Sequence, residues 1–284
     1  SLYTLSLHGA LPISVAGLYA RLRIRDQAAA VALGLDGARA TPVGRSWLNL
    51  LPAGADLAVI AVTGSGGRGP RVGQLATRVG QVLVARTVGA GDRFYLAMAA
   101  GLAPIGPTQT ALILAAGANR AAYPTGPPQA IVVSAADIAT APQTSVGQPG
   151  GAALPDRTPT VLDPGAAALC ATATADGPVR VVVSADPLPR GARAVPITAT
   201  PATQPTLADA VSLRPGHALL VRTPDGARRL ISDQGLAFPV AGDPEIDALG
   251  YRGVSPVAAT AELLALLPTG PTLERAAAGR PAPR

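Results

Sequence analysis

Lysine is absent from this 284-residue chain, so all 23 basic residues are arginine. Without lysine there can be no Walker A loop, which needs that side chain to reach the β and γ phosphates of a nucleotide. The same bias, with abundant Ala, Gly, Pro and Val, reads as the mark of a GC-rich coding sequence. Cysteine occurs once, at Cys170, histidine twice, at His8 and His217, and glutamate three times, at Glu245, Glu262 and Glu274. No ligand cluster at a metal-binding spacing can be drawn from so few residues. A serine triad is equally unsupported, since His217 is the one credible base and reads as part of a strand. Aromatics are 3% of the chain, so its cores must be built from many small side chains. With scattered arginines and so few stacking partners, nucleic-acid binding is excluded. A membrane-crossing helix needs about 20 apolar residues in a row. The nearest run, 96–118, is broken by Gly101, Pro104, Gly106, Pro107 and Gln109, and it reads as strand, turn and short helix.

Hydrophobic residues reach 48% and charged ones only 14%, a balance that folds rather than staying disordered. The length fits roughly two domains. The 29 prolines and 32 glycines are densest in 147–165, 187–205 and after Gly279, which read as connectors between small units. The formal charge of +6 and pI of about 10.4 leave room for contact with acidic lipid or cell-wall polymers.

Three segments close alike: GRSWLNLLP at 44–52, SAADIATAP at 134–142 and TAELLALLP at 260–268. Each predicts a short helix stopped by Pro52, Pro142 or Pro268, because proline disfavours helical geometry in the residue before it. Ser134 and Thr260 are suited to N-cap two of them. Upstream lie GQVLVAR from Gly80 and GHALLVR from Gly216, each a first hairpin strand followed by a Gly/Asp turn, 89–92 and 224–226. Return strands are expected at 94–98 and 229–232, third strands at 102–105 and 236–240, and helices at 108–116 and 244–249. ALGL at 32–35 parallels ALGY at 248–251, so the early part of the chain reads as the back half of a further unit. Strand-like runs at 168–173 and 179–184 predict a central β insertion.

The fold expected is α+β: repeated small units of three short strands plus short helices flanking a central β domain, elongated overall. Its divisions are 1–14, a non-native segment or sequencing artefact by its composition; 15–57, a partial unit; 58–78, a linker; 79–142, a unit; 143–211, the central β segment; 212–273, the C-terminal unit; and 274–284, a flexible tail. The glycine-rich TGSGGRGP at 63–70 offers backbone N–H groups but lacks a GKS/T ending, and reads as flexible linker. Asp225 and Asp233 fall in a hairpin, where turn chemistry explains them. Trp47, on a closing helix, reads as core, and Arg228, Arg229 and Arg252 are the exposed candidates for partner contact.

LISDQGLAFPV at 230–240, ALGY at 248–251 and LALLPTGP at 264–271, in that order, resemble the carboxy-terminal signature of the EccB family of the actinobacterial type VII secretion system. Weaker similarity reaches back to about Leu22 and includes ALCA at 168–171. The residues carrying the repeat signature are Pro52, Gly80, Pro142, Gly216, Asp233, Gly235, Pro239, Gly250, Pro268 and Gly270. The resemblance implies a scaffold on the extracytoplasmic side of the cell membrane, contacting other secretion subunits and further copies of itself, anchored by a helix upstream of this fragment. It also implies that Cys170 is half of a disulfide; as a residue it reads equally as a small core side chain. ATP hydrolysis is ascribed to the family, so ATP is a cofactor by resemblance only. A cell-wall polymer-binding module is the other alternative.

Overall fold

The computed structural model describes residues 10–15, 18–87, 91–145, 154–172, 179–185, 193–197 and 207–278. His8 lies outside them. In chain order the strands β1 (Ala10–Val15) and β2 (Leu18–Arg23) precede helices α1 (Gln27–Ala32) and α2 (Arg45–Asn49). Then come β3 (Arg68–Val72), β4 (Leu75–Arg78), β5 (Val82–Thr87), β6 (Gly91–Met98), β7 (Gly101–Ile105), α3 (Pro107–Ala115), a 3-10 turn at Gly117–Ala122, β8 (Ile131–Val133) and α4 (Ala135–Thr140). The remainder is β9 (Ala168–Thr172), β10 (Arg180–Ser184), β11 (Val195–Pro196), β12 (Ala210–Val211), β13 (Ala218–Arg222), β14 (Arg228–Ser232), β15 (Ala237–Val240), α5 (Asp243–Ala248), β16 (Val257–Ala258), α6 (Ala261–Leu264) and α7 (Arg275–Ala278). The class is mixed α+β, with several small sheets and short helices. Two compact units divide the chain: Thr4–Thr41 with Pro52–Asp163, and Ser1–Tyr3 with Pro42–Leu51 and Pro164–Arg284.

In the first unit a four-stranded sheet runs β7-β6-β5-β8, antiparallel except for the last pair. Its strands alternate strictly. Tyr95 and Ala97 face a cluster with Val72, Leu83, Leu102 and Ile138, while Phe94, Leu96 and Met98 face one with Val62, Val82, Ile105 and Ile113. Successive side chains in a strand point to opposite faces, so both faces are buried and the strands read as continuous apolar runs. The β3–β4 hairpin and α4 contribute to the first cluster and α3 to the second. The third strand is followed by α3 because Pro107 fits the first turn, where no N–H is needed. A further cluster joins Leu22, Ala29, Ala30, Leu33 and Leu57 to Leu112 and Leu154, tying α1 to α3.

In the second unit the sheet runs β15-β14-β13-β16 with the same antiparallel and parallel sense. Val221, Ile231, Ala237, Ala259 and Leu264 form its core. Two-stranded pairs β9–β10 and β11–β12 precede it. Ser134 and Thr260 cap α4 and α6 through their hydroxyl oxygens, which accept from Asp137 N and Leu263 N at 3.0 and 3.2 Å.

Three expectations change. Each four-stranded sheet has a fourth, parallel strand of two or three residues, β8 or β16, too short to leave a periodic signal. Residues 58–78 are not a linker. Val62 and Val72 are buried, and 68–78 fold as a hairpin. Trp47 is half-buried rather than core. It lies five residues before its proline, as Leu263 does before Pro268, and Leu263 is exposed; the buried side chains of α4 and α6, Ile138 and Leu264, lie four before. One helical step of about 100° turns Trp47 off that face.

The supposed linker is held by Asn119, whose side chain is wholly buried. Its Oδ1 accepts from Val62 N, and its Nδ2 donates to Ile60 O and Ile113 O, all at 2.8 Å. Asn119→Ala would leave Val62 N and Ile60 O without partners, each costing about 1–3 kcal/mol, while Ile113 O keeps its bond from Ala116 N. The expected result is a loss of at least about 2 kcal/mol in urea-unfolding free energy of this unit, the slope against denaturant staying unchanged.

Candidate functional site

The three helix-stopping prolines use their carbonyls in one way. Pro52 O accepts from Arg21 N at 2.9 Å, Pro142 O from Leu102 N at 2.7 Å and Pro268 O from Ala237 N at 3.0 Å. Two residues on, the chain returns the bond to the same strand residue. Gly54 N donates to Arg21 O, Thr144 N to Leu102 O and Gly270 N to Ala237 O, at 2.9, 2.9 and 3.0 Å. In two cases the pairing continues. Leu57 N donates to Arg23 O at 2.7 Å and Arg25 N to Leu57 O at 2.8 Å; Leu273 N donates to Pro239 O at 2.7 Å and Ala241 N to Leu273 O at 3.2 Å. Each closing segment thus lies parallel to β2, β7 or β15.

Of the other signature residues, Gly80, Gly216, Asp233, Gly235 and Gly250 sit in turns. Gly80 is buried, and its N–H donates to Ala97 O at 2.9 Å. Gly216 N donates to Asp233 Oδ2 at 2.7 Å, joining the start of β13 to the β14–β15 turn. Gly235 N donates to Ser232 O and Gly250 N to Asp247 O, at 3.0 and 3.1 Å. Pro239 sits in β15 opposite Arg229, and Gly270 lies against the Phe238 ring. Cys170 is half-buried in β9 opposite Val182, its thiol free.

Asp225 and Asp233 are not brought together, because they cap opposite ends of β14. A strand of that length separates them by about 15 Å. Hydrogen bonds from Thr223 Oγ1 and then Ala227 N hold the Asp225 carboxyl below the usual aspartate range. His217 is exposed, its Nδ1 3.1 Å from Pro215 O. Burial pushes the Tyr123 hydroxyl up, although that oxygen accepts from Val82 N at 2.8 Å. Among the described residues no group of His, Cys, Asp and Glu could hold a metal, and no helix is long and apolar enough to cross a membrane. A depression of about 470 Å³ beside α4 is lined by Ala85, Arg93, Tyr95, Ile138 and Gln143, among others. It offers contact surface and no acid–base pair.

Two of the three arginines singled out for partner contact hold ion pairs, and Arg252 stays exposed. Arg228 pairs with Asp243, Arg252 with Asp247 at 2.8 Å, and Arg229 is half-buried in β14. The exposed cationic face lies elsewhere, on the β3–β4 hairpin, where Arg68, Arg71 and Arg78 are all exposed. The available signal was charge: residues 57–136 hold six arginines and one acid, Asp92.

The family described as "Type VII secretion system ESX-1, transport TM domain B" matches residues 13–281. No curated protein matches the chain. Among solved structures, the chain is similar to one of the "periplasmic assembly from the ESX-5 inner membrane complex", at 25% identity and a TM-score of 0.67, covering 98% of this chain and 69% of that one. A second is of "an intact ESX-5 inner membrane complex", at 25% identity and 0.67, with 99% and 61% covered. A third, of an "EccB3 dimer from the ESX-3 core complex", has 22% identity, a TM-score of 0.70, and 97% and 74% covered; it speaks to the fold alone.

The middle closure depends on Gly101, whose φ of 152° is open to glycine and whose added Cβ would stand 2.7 Å from Pro142 O. Gly101→Ala is expected to destabilise this unit by about 1–3 kcal/mol. Gly117→Ala, with nothing within 4 Å of the new carbon, should be near neutral. Paired thermal melts of the two variants check the contrast.

Proposed function

The chain belongs to the EccB family of the type VII secretion system, and from that premise we propose that it is an extracytoplasmic scaffold of the secretion membrane complex, working through surfaces rather than a reaction site. The observation that carries this reading is the proline closure, made with the same pair of backbone bonds at Pro52, Pro142 and Pro268. It supports an organisation in repeats, with β5–β8 and α3–α4 as one unit, β13–β16 and α5–α6 as another, and β2, α1 and α2 as the back half of a third. On this view Pro52, Gly80, Pro142, Gly216, Asp233, Gly235, Pro239, Gly250, Pro268 and Gly270 are a structural signature, fixing turns and closures so that each unit keeps its outline. Repeat units of this kind present extended surfaces for docking. The partners are other secretion subunits and further copies of the chain, on the outer side of the membrane.

A tagged full-length protein in its native host is expected to co-purify with the other membrane subunits after mild detergent extraction, and its deletion should abolish both that complex and export. A complex that assembles and exports without it would overturn the scaffold. ATP turnover by the purified chain is expected to be absent. Turnover abolished by Asp233→Asn or Arg229→Ala would replace the scaffold reading with an enzymatic one.

A further inference from the structure

Arg68, Arg71 and Arg78 do not share a face by simple alternation. In an unbroken hairpin, residues 68, 70 and 72 point one way and residue 71 the other. Val72 is buried opposite Leu75, so Arg68 would point into the core. The register shifts between Arg68 and Arg71. Gly69 and Pro70 together oppose the buried Thr77, whose hydroxyl donates to Pro70 O at 2.6 Å. This bulge moves Arg68 to the outer face, opposite Arg78, while Arg71 stands opposite Ala76. Bulges re-aim side chains in this manner. Only glycine fits the first bulge position, since a Cβ on Gly69 would stand 2.5 Å from Thr77 Oγ1.

The result costs stability within the chain. Like charges directly opposite on neighbouring strands, with Cβ atoms about 5 Å apart, repel. Among the described residues no carboxylate pairs with any of the three, and the one hydrogen bond from their guanidinium groups runs from Arg78 Nη1 to Gly66 O at 3.1 Å. A bulge that assembles three unneutralised guanidinium groups on one rigid face is accounted for by an anionic surface that docks there.

The complementary charge lies in the same sequence. Residues 242–274 hold five acids and one arginine. Asp243 and Asp247 are paired with Arg228 and Arg252, whereas Glu262 and Glu274 are exposed and form no ion pair among the described residues. Guanidinium forks and carboxylates match in geometry as well as charge. We infer that the Arg68–Arg71–Arg78 face docks onto the acidic 242–274 segment of a second copy of this chain, a head-to-tail contact between unlike surfaces. The inference rests on the scaffold reading, because it assigns one of that scaffold's copy-to-copy contacts. A lipid surface is less suited, as the face offers no large apolar side chain to insert beside its charges.

Sedimentation of the full chain tests it. Self-association is expected at about 0.05 M salt and should weaken by about tenfold or more at about 0.5 M. Arg68→Glu places a carboxylate opposite Arg78, so it should melt no lower than the parent and yet associate about tenfold more weakly. The triple variant R68E/R71E/R78E and the double variant E262R/E274R should each be monomeric, and an equimolar mixture of the two should associate again. Association that survives the triple variant, or a mixture that stays monomeric, overturns the inference and leaves the scaffold reading to the co-purification experiment. A parent chain that stays monomeric at low salt overturns it too, as does one that binds vesicles of anionic phospholipid through these arginines without self-associating.

Discussion

A proline carbonyl, bonded to the N–H of a strand residue whose own carbonyl receives a bond two residues later, is the constraint on which each unit depends. It solves a problem set by composition. Closing helices of four to six residues cannot persist alone, because helix nucleation is unfavourable at that length. Proline ends the helix, lacks an N–H that would need satisfying, and leaves its carbonyl free to accept. The segment beyond it then adds to the sheet edge as a parallel strand in all but name, covering backbone groups that would otherwise face solvent or template aggregation. Strand, helix and return are thereby fixed to one another with little help from large side chains.

That economy suits a chain with 3% aromatics. Where a core of Ala, Val and Leu leaves polar backbone inside, buried amides and hydroxyls bind it. Asn119 engages three backbone groups, Tyr123 accepts from Val82 N, and Gln81 Nε2 donates to Ala122 O at 2.9 Å. These bonds are specific in a way that apolar contact between small residues is not, since an unmet partner in a dry interior is expensive. Packing by number sets the shape; buried polar groups set the register.

The sequence carries the elements well where turn chemistry or capping marks them. Hairpins around 224–226, the N-caps at Ser134 and Thr260, and the proline stops fall where local physics requires them. It carries poorly what depends on distant partners. β8 and β16 are strands only because β5 and β13 present an edge to them. Residues 60–62 are ordered because Asn119 lies nearly 60 positions away, and glycine-rich composition around 63–70 points toward freedom that the fold removes. The same limit applies to contact surfaces. Arg228 and Arg252 are as polar in sequence as Arg68 and Arg71, and only the fold places Asp243 and Asp247 within ion-pair distance of the first pair.

That difference bears on how a scaffold can be specific. Apolar cores alone would leave one outer surface equivalent to another. Charge breaks the equivalence. Residues 57–136 are almost purely cationic and residues 242–274 mostly anionic, so like surfaces repel and unlike ones attract, which selects partners more sharply than it tightens them. Removing the bulge at Gly69–Pro70 would restore regular pairing and bury Arg68. Retaining it keeps a local repulsion that the proposed acidic partner would offset, as expected where a contact surface outweighs the stability of one hairpin.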